Sequence, residues 1–205
     1  MRILVLGATG RTGAEIVGRA VAAGHQVRAL VRDPGKLGSS PARAVTGDAT
    51  DPAAVARAAG GVDAVLVALG PGRDLKSDLA SRSAQVLIKV LEAPARVVVL
   101  SAFGVGDSLP MASPLQRLMY RTAMRDLFAD KARADAIWRD SGLDWTIVRP
   151  VTLTNGRATG RYAADERLAA KGFPRIARAD VAQFMVAQAG SATWSRRTVL
   201  LTSRA

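Results

Sequence analysis

The chain of 205 residues contains no cysteine. Disulfides and thiol catalysis are therefore excluded, and the composition fits a reducing compartment such as the cytoplasm. Histidine occurs once, at His25 in a helix-to-strand loop after Gly24, so no metal site of the His/Cys kind is available and no metal is expected. No apolar run approaches the roughly 20 residues of a membrane span. The chain opens directly on a strand-like run, so no secretory leader and no membrane partner are expected. There is no low-complexity stretch, internal repeat or linker. The net charge of +12 does not gather into a dense basic run with interleaved aromatics. It reads as a solvated surface on an alanine- and arginine-rich chain, with some attraction for an anionic cofactor. Nucleic acid is not expected as a partner.

What is present is a core and a turn. Hydrophobic residues make up 49% of the chain, enough for one domain over residues 1–205, as a monomer or dimer. Near the start, the apolar run Ile3-Leu4-Val5-Leu6 leads into Gly7-Ala8-Thr9-Gly10-Arg11-Thr12-Gly13, then the helical pattern Ala14-Glu15-Ile16-Val17. That order is strand, glycine turn, helix, the arrangement that seats a dinucleotide pyrophosphate on a helix N-terminus. Gly7 lets the chain turn sharply, Gly10 lets backbone approach a phosphate, and Gly13 lets the helix pack on the strand. Thr9, Arg11 and Thr12 are placed to add hydroxyl and guanidinium contacts. The spacing is G-x-x-G-x-x-G, and its position after a first strand gives it weight.

Downstream, short apolar runs alternate with helical stretches. The pattern predicts strands at Arg2–Leu6, Gln26–Val31, Ala42–Thr46, Ala64–Ala68, Arg96–Leu100, Trp145–Arg149 and Thr198–Leu201. Helices are predicted at Thr12–Ala23, Pro52–Gly60, Ser77–Leu91, Pro114–Ser141 and Ala179–Gln188. Such alternation implies an α/β fold of Rossmann type, a doubly wound and mostly parallel sheet with helices on both faces. Asp51-Pro52 and Ser113-Pro114 read as helix starts and Gly142 as a stop. Two stretches break the alternation, Phe103–Ser113 and Thr152–Pro174. Both follow strands whose ends face the ligand side, so the segments 103–125 and 152–175 are expected to wall a substrate pocket. Trp138, Trp145 and Trp194 read as packing residues.

GATGRTG at 7–13, GDATD at 47–51, VALG at 67–70, LSAFG at 100–104, Asp130-Lys131, SGLDWTIVRP at 141–150 and IARADVAQFM at 176–185 together resemble the atypical short-chain dehydrogenase/reductases. The resemblance runs almost end to end. It is nearest to the NAD(P)H-binding group that includes flavin reductase (biliverdin-IXβ reductase) and the NmrA-like proteins, and it implies a bound nicotinamide cofactor. It places the pyrophosphate on Gly7, Thr9, Gly10, Arg11, Thr12 and Gly13. Asp48 and Ala49 fall at the adenine edge, although an Asx turn also accounts for Asp48. Leu69 and Gly70 line the adenosine. Ser101 faces the nicotinamide and the reacting carbonyl, and Lys131 the nicotinamide ribose, a solvent-facing helical lysine being the other reading of Lys131. Pro150, Val151 and Thr152 approach the carboxamide, Val151 through backbone. Arg32 stands after the second strand, where NAD enzymes carry a carboxylate. An arginine there, with Lys36 near, suits a 2′-phosphate, so NADP(H) is preferred over NAD(H), with the adjacent Asp33 arguing the other way.

The resemblance also has gaps. The superfamily's catalytic tyrosine lies four residues before the lysine, and Leu127 stands there. Neither Tyr120 nor Tyr162 is an obvious substitute. Without that acid, alkoxide-forming ketone chemistry is disfavoured. Thr152 stands where the biliverdin-reducing relatives tend to carry histidine. The expected activity is therefore hydride transfer from NADPH to a planar conjugated acceptor (flavin, quinone or tetrapyrrole-like), with Ser101 and Lys131 as the catalytic pair. An NmrA-like redox sensor that binds NAD(P)H without turnover is the alternative, and a sugar-nucleotide epimerase a weaker third. Arg117, Arg121 and Arg125 recur on one face of the long helix, either as a solvated face or as attraction for an acidic acceptor. Leu115, Leu118 and Met119 read as core or pocket wall, or as a partner surface in the sensor reading.

Overall fold

A computed structural model describes the chain except residues 73, 92–94, 168–171 and 205. The described strands are β1 (Arg2–Leu6), β2 (Gln26–Val31), β3 (Arg43–Thr46), β4 (Ala64–Val67), β5 (Arg96–Leu100), β6 (Asp144–Pro150), β7 (Thr152–Thr154), β8 (Tyr162–Asp165), β9 (Arg175–Ala177) and β10 (Arg197–Ser203). Eight of them form one sheet in the order β3-β2-β1-β4-β5-β6-β10-β8, and β7 and β9 pair separately. All pairs are parallel except β10 with β8. The strand order reverses between β1 and β4, so a crevice opens beyond their carboxyl ends. Gly7 and Ala68 lie there.

The helices are α1 (Arg11–Ala22), α2 (Pro52–Ala59), α3 (Leu79–Val90), α4 (Pro114–Arg121), α5 (Arg125–Asp140) and α6 (Arg178–Gln188). The central strands are apolar on both faces, and Ile3, Leu4, Val5 and Leu6 are wholly buried. Ile3 and Val5 pack with Ile16 and Val17 of α1 and Val181 and Met185 of α6. Leu4 and Leu6 pack with Val55 of α2, Leu87 of α3 and Trp138 of α5. These are two cores on the two faces of one sheet, as a doubly wound fold requires. Asp51 caps α2 by accepting from the Ala53 amide at 3.0 Å. Ser113 and Gln116 form a reciprocal capping box at α4.

Three expectations need correction. The stretch 114–141 is two helices, not one: Thr122 sits at φ −115°, ψ −89°, and its hydroxyl donates to the Leu118 carbonyl at 2.8 Å. This back-bonding β-branched residue closes α4 locally. Arg117 and Arg121 therefore ride on α4 while Arg125 begins α5, so the three share no continuous face. The row Leu115, Leu118 and Met119 is exposed rather than core or pocket wall, because α4 buries its other side through Gln116 and Tyr120. Tyr120 stacks on Phe128 with ring centroids 4.3 Å apart. It presses on Gly104, where a Cβ would come within 2.4 Å of the ring. The segment 152–175 also carries strand structure, including the antiparallel edge β8, that was not expected. Its residues 168–171 lie outside the described residues.

Candidate functional site

The start of α1 is built from what is missing. Gly7 has φ +80°, and a Cβ on it would lie 2.5 Å from the Ala68 carbonyl oxygen. A Cβ on Gly13 would lie 2.0 Å from the Gly7 carbonyl oxygen. Gly13 thus sets α1 against the end of β1, and Gly7 also lets the turn approach Ala68 beyond β4, a contact the sequence did not announce. Gly10 is the N-cap and has no side chain to cap with, and the first turn holds no acidic residue. The amides of Arg11, Thr12 and Gly13 thus have no acceptor within the helix. They form a concavity of donors at the positive helix end, over the crevice, and the chemistry fits a pyrophosphate. Thr9 and Arg11 are exposed while Thr12 is buried. Arg178, at the start of α6, is drawn in beside this turn. Its pKa lies below the ordinary arginine value, through burial and then through the nearby charge of Arg11, and its guanidinium donates to Asn155 Oδ1 at 2.6 Å. The sequence reading missed Arg178 and Asn155; the one signal, for Arg178, was its place in the stretch 176–185 that helps carry the resemblance.

Beyond β2, Arg32 and Lys36 are exposed. The neighbouring Asp33 turns into its own loop, where it accepts from the Gly35 amide at 3.0 Å and caps the 3-10 turn Pro34–Leu37. Asp48 accepts from the Thr50 hydroxyl at 2.7 Å and the Thr50 amide at 2.8 Å. Those bonds, with the charge of Arg32, hold its carboxyl below the usual range. Asp48 is thus an Asx-type turn residue standing near Arg32. Ala49 and Leu69 are half-buried and Gly70 is exposed.

The end of β5 is built from buried charges. Ser101 is buried, and its hydroxyl donates to Asp135 Oδ2 at 3.1 Å. Asp135 is 2% exposed and Arg149 1%. Arg149 donates to Asp135 through Nε at 3.0 Å and Nη2 at 2.8 Å, and through Nη1 to Asp107. A carboxylate only accepts, so the Ser101 proton is committed to Asp135 and what the hydroxyl has left to offer is its oxygen, as an acceptor. Lys131 is not a solvent-facing helical lysine: its ammonium donates to the Leu100 carbonyl at 3.1 Å. Burial drives its pKa below the ordinary lysine value, against the pull of Asp135 and Asp130. Asp130 is itself committed, accepting from the Ala80 and Ser81 amides at 2.9 and 3.2 Å and so capping α3 from another helix. Leu127 is buried at 9% exposure and supplies no acid. The Val151 and Thr152 amides donate to the Leu201 and Pro174 carbonyls at 3.0 and 3.2 Å, so any contact from Val151 runs through its carbonyl. Pro150 is buried and Thr152 exposed.

Asp107, Asp135 and Arg149 were not predicted as site residues; Asp135 was read only as a neighbour of Lys131 on the helix, and Arg149 as the end of a strand. Asp135 had one signal, its i,i+4 spacing from Lys131 on α5, which puts both on one side of the helix. Arg149 had another, since a charged residue inside an apolar strand must find a partner. Among the described residues, no group of three or more His, Asp or Glu side chains is placed to hold a metal. No described helix is long and apolar enough to cross a membrane.

Residues 7–192 match the model of a family described as NAD(P)H-binding. Across 98% of its length the chain is 30% identical to an uncharacterized sugar epimerase, YhfK, of Bacillus subtilis strain 168, covering 94% of that protein. Among solved structures it is similar to the anaerobillin reductase ChuY of Escherichia coli O157:H7, with 25% identity, a TM-score of 0.82, and 99% and 97% of the two chains covered. A provisionally named NADH-flavin reductase of Streptococcus pneumoniae TIGR4 shares the fold, with a TM-score of 0.83 at 23% identity over all of both chains.

Proposed function

The chain belongs to the NAD(P)H-binding family, and within it we propose an NADPH-dependent reductase that passes hydride to a planar conjugated acceptor, a flavin, quinone or tetrapyrrole. The nicotinamide supplies the hydride when bound. The uncapped start of α1, with Arg11 and Arg178, would hold the pyrophosphate. Arg32 and Lys36 would hold a 2′-phosphate. Support for NADPH comes from Asp33, whose carboxylate is taken up by the Gly35 amide rather than offered to a ribose diol. Asp48, Ala49, Leu69 and Gly70 would border the adenosine, and Pro150, Val151 and Thr152 the carboxamide.

One observation carries the choice of acceptor: among the described residues the reaction end offers no tyrosine and no uncommitted hydroxyl as acid, and its ammonium, Lys131, donates to the Leu100 carbonyl. Leu127 stands in place of the tyrosine. The Ser101 proton goes to Asp135, and the Tyr120 phenol is packed away, with its pKa raised by burial. A developing alkoxide would need a positioned proton. A flavin, quinone or tetrapyrrole spreads the charge and takes its proton from water. Ser101 then acts as an acceptor that orients the ligand, and Lys131 fixes the ribose. The same argument separates this chain from the epimerase chemistry in the name of its Bacillus relative.

The experiment is NADPH oxidation with FMN in H2O and D2O, using cofactor deuterated at C4. The cofactor label should slow turnover and D2O should not. Equal slowing in D2O would put proton transfer in the same step as the hydride and count against an acceptor that needs no positioned acid. NADPH binding with no turnover on any acceptor would favour the NmrA-like sensor, for which the exposed Leu115, Leu118 and Met119 offer a partner surface.

A further inference from the structure

A second cavity lies away from the nucleotide crevice. It measures about 880 Å³, and five arginines line it (Arg139, Arg149, Arg167, Arg196 and Arg197) against two acids, Asp107 and Glu166. None of the glycine turn, Arg32, Asp48, Ser101 or Lys131 borders it. Arg139 sits eight residues beyond Lys131 on α5, about 12 Å along the helix.

The charges do not balance. Asp107 is claimed by Arg149 and approached by Arg139 at 3.6 Å. Glu166 pairs with Arg197 at 2.8 Å. Among the described residues no carboxylate pairs with Arg167 or Arg196. Asp107 is held below the usual carboxylate range, burial being outweighed by the Arg149 bond and the Arg149 and Arg139 charges.

Arg196 is also the only described non-glycine residue at positive φ, +53°. That conformation costs any side chain with a Cβ and is free for glycine. Its amide donates to the Trp145 carbonyl at 2.7 Å and its guanidinium to the Gly142 carbonyl at 3.0 Å. Further guanidinium N–H groups are left for the cavity.

We propose that this cavity binds a small polyanion, a molecule carrying several phosphate or carboxylate groups, independently of the nucleotide. Planar guanidinium forks match both kinds of oxyanion in bidentate fashion. Arg196 keeps a cation where the backbone favours glycine. Arg149 joins the two sites: its guanidinium spans Asp107 on the cavity wall and Asp135, which holds Ser101. Elements of both segments expected to wall a substrate pocket meet here, through Asp107, Ser108 and Met111 of one and Glu166 and Arg167 of the other.

The test is calorimetric titration of the full chain with pyrophosphate, and in parallel with citrate, in saturating NADP⁺ so that the α1 cradle is filled. Binding of either anion is expected, and which one binds identifies the phosphate or carboxylate chemistry. The double variant Arg167→Ser, Arg196→Gly should weaken it about tenfold or more, with NADPH affinity changed less than about twofold. Arg196→Gly alone should raise Tm by about 2–4 °C by relieving the backbone, so lost binding cannot be ascribed to lost folding. Exposed Arg57→Ala, remote on α2, is the control for general charge. No binding of either anion with NADP⁺ present overturns the proposal. Equal loss in the Arg57→Ala control overturns it as well.

Discussion

At the end of β1 the chain offers backbone and almost no side chain. At the end of β5, two strands away in the same sheet, it offers side chains that are nearly all spoken for. The first region works because Gly7, Gly10 and Gly13 leave room and leave three amides without acceptors. The second works because Asp135, Arg149 and Asp107 lock one another and, through them, Ser101. An anion can be met by unsatisfied donors over an open crevice. A reacting group must be held still, and buried charges hold it at the cost of desolvation, which is offset only if every partner stays in place. The contrast supports the proposal that the first region binds and the second positions.

The sharpest way to break that contrast is to remove a charge from the second region. Asp135→Ala leaves the Arg149 guanidinium buried and short of its partner, and should cost about 3–5 kcal/mol in urea unfolding. The apolar pair Asp135→Leu with Arg149→Met should recover most of that loss. A single-variant cost below about 1 kcal/mol would mean that the network does not hold this end together.

The matching change in the first region is Gly13→Ala, whose Cβ would meet the Gly7 carbonyl at 2.0 Å. It should cost about 1–3 kcal/mol as overpacking and raise the NADPH Kd at least about tenfold, because the amides move with the turn. Unchanged NADPH affinity would detach the cradle from the cofactor. Arg32→Ala is smaller and selective: about tenfold weaker NADPH and NADH within about twofold, read by fluorescence titration.

The smallest effect is that of pH at Lys131. Its folded pKa lies below the unfolded 10.5, so the native state binds fewer protons between the two values and stability rises with pH there. Below the folded value the burial cost is present in full, and it is relieved as pH climbs towards 10.5. Comparing Tm with Lys131→Met at pH 7 and pH 10 should therefore show the gap moving in favour of the wild type at the higher pH.

These two regions also mark what was legible. The turn is contiguous, so one unbroken run, residues 3–17, displayed the strand, the glycine turn and the helix start, and the strand alternation displayed the sheet. The β5 network joins Ser101 to Asp135 across 34 positions, Arg149 to Asp135 across 14 and Arg149 to Asp107 across 42. No local pattern carries such pairings. Thr122 was readable only in retrospect, since a threonine ends a helix or rides along it according to where its hydroxyl bonds. The edge strand β8 hid in a stretch whose sequence lacks an apolar run, because its residues are only half-buried. Asp33 shows the same limit at one residue: the sequence sets it beside Arg32, but only the structure shows its carboxylate capping its own turn.

The most direct test of a reaction end that lacks the tyrosine acid is a panel of acceptors. Purified protein is mixed with NADPH or NADH and with FMN, FAD, a quinone, biliverdin or a simple ketone. The account predicts turnover with at least one conjugated acceptor, faster with NADPH, and none with the ketone. Reduction of the ketone would contradict it, since some group of the chain would then be protonating an alkoxide.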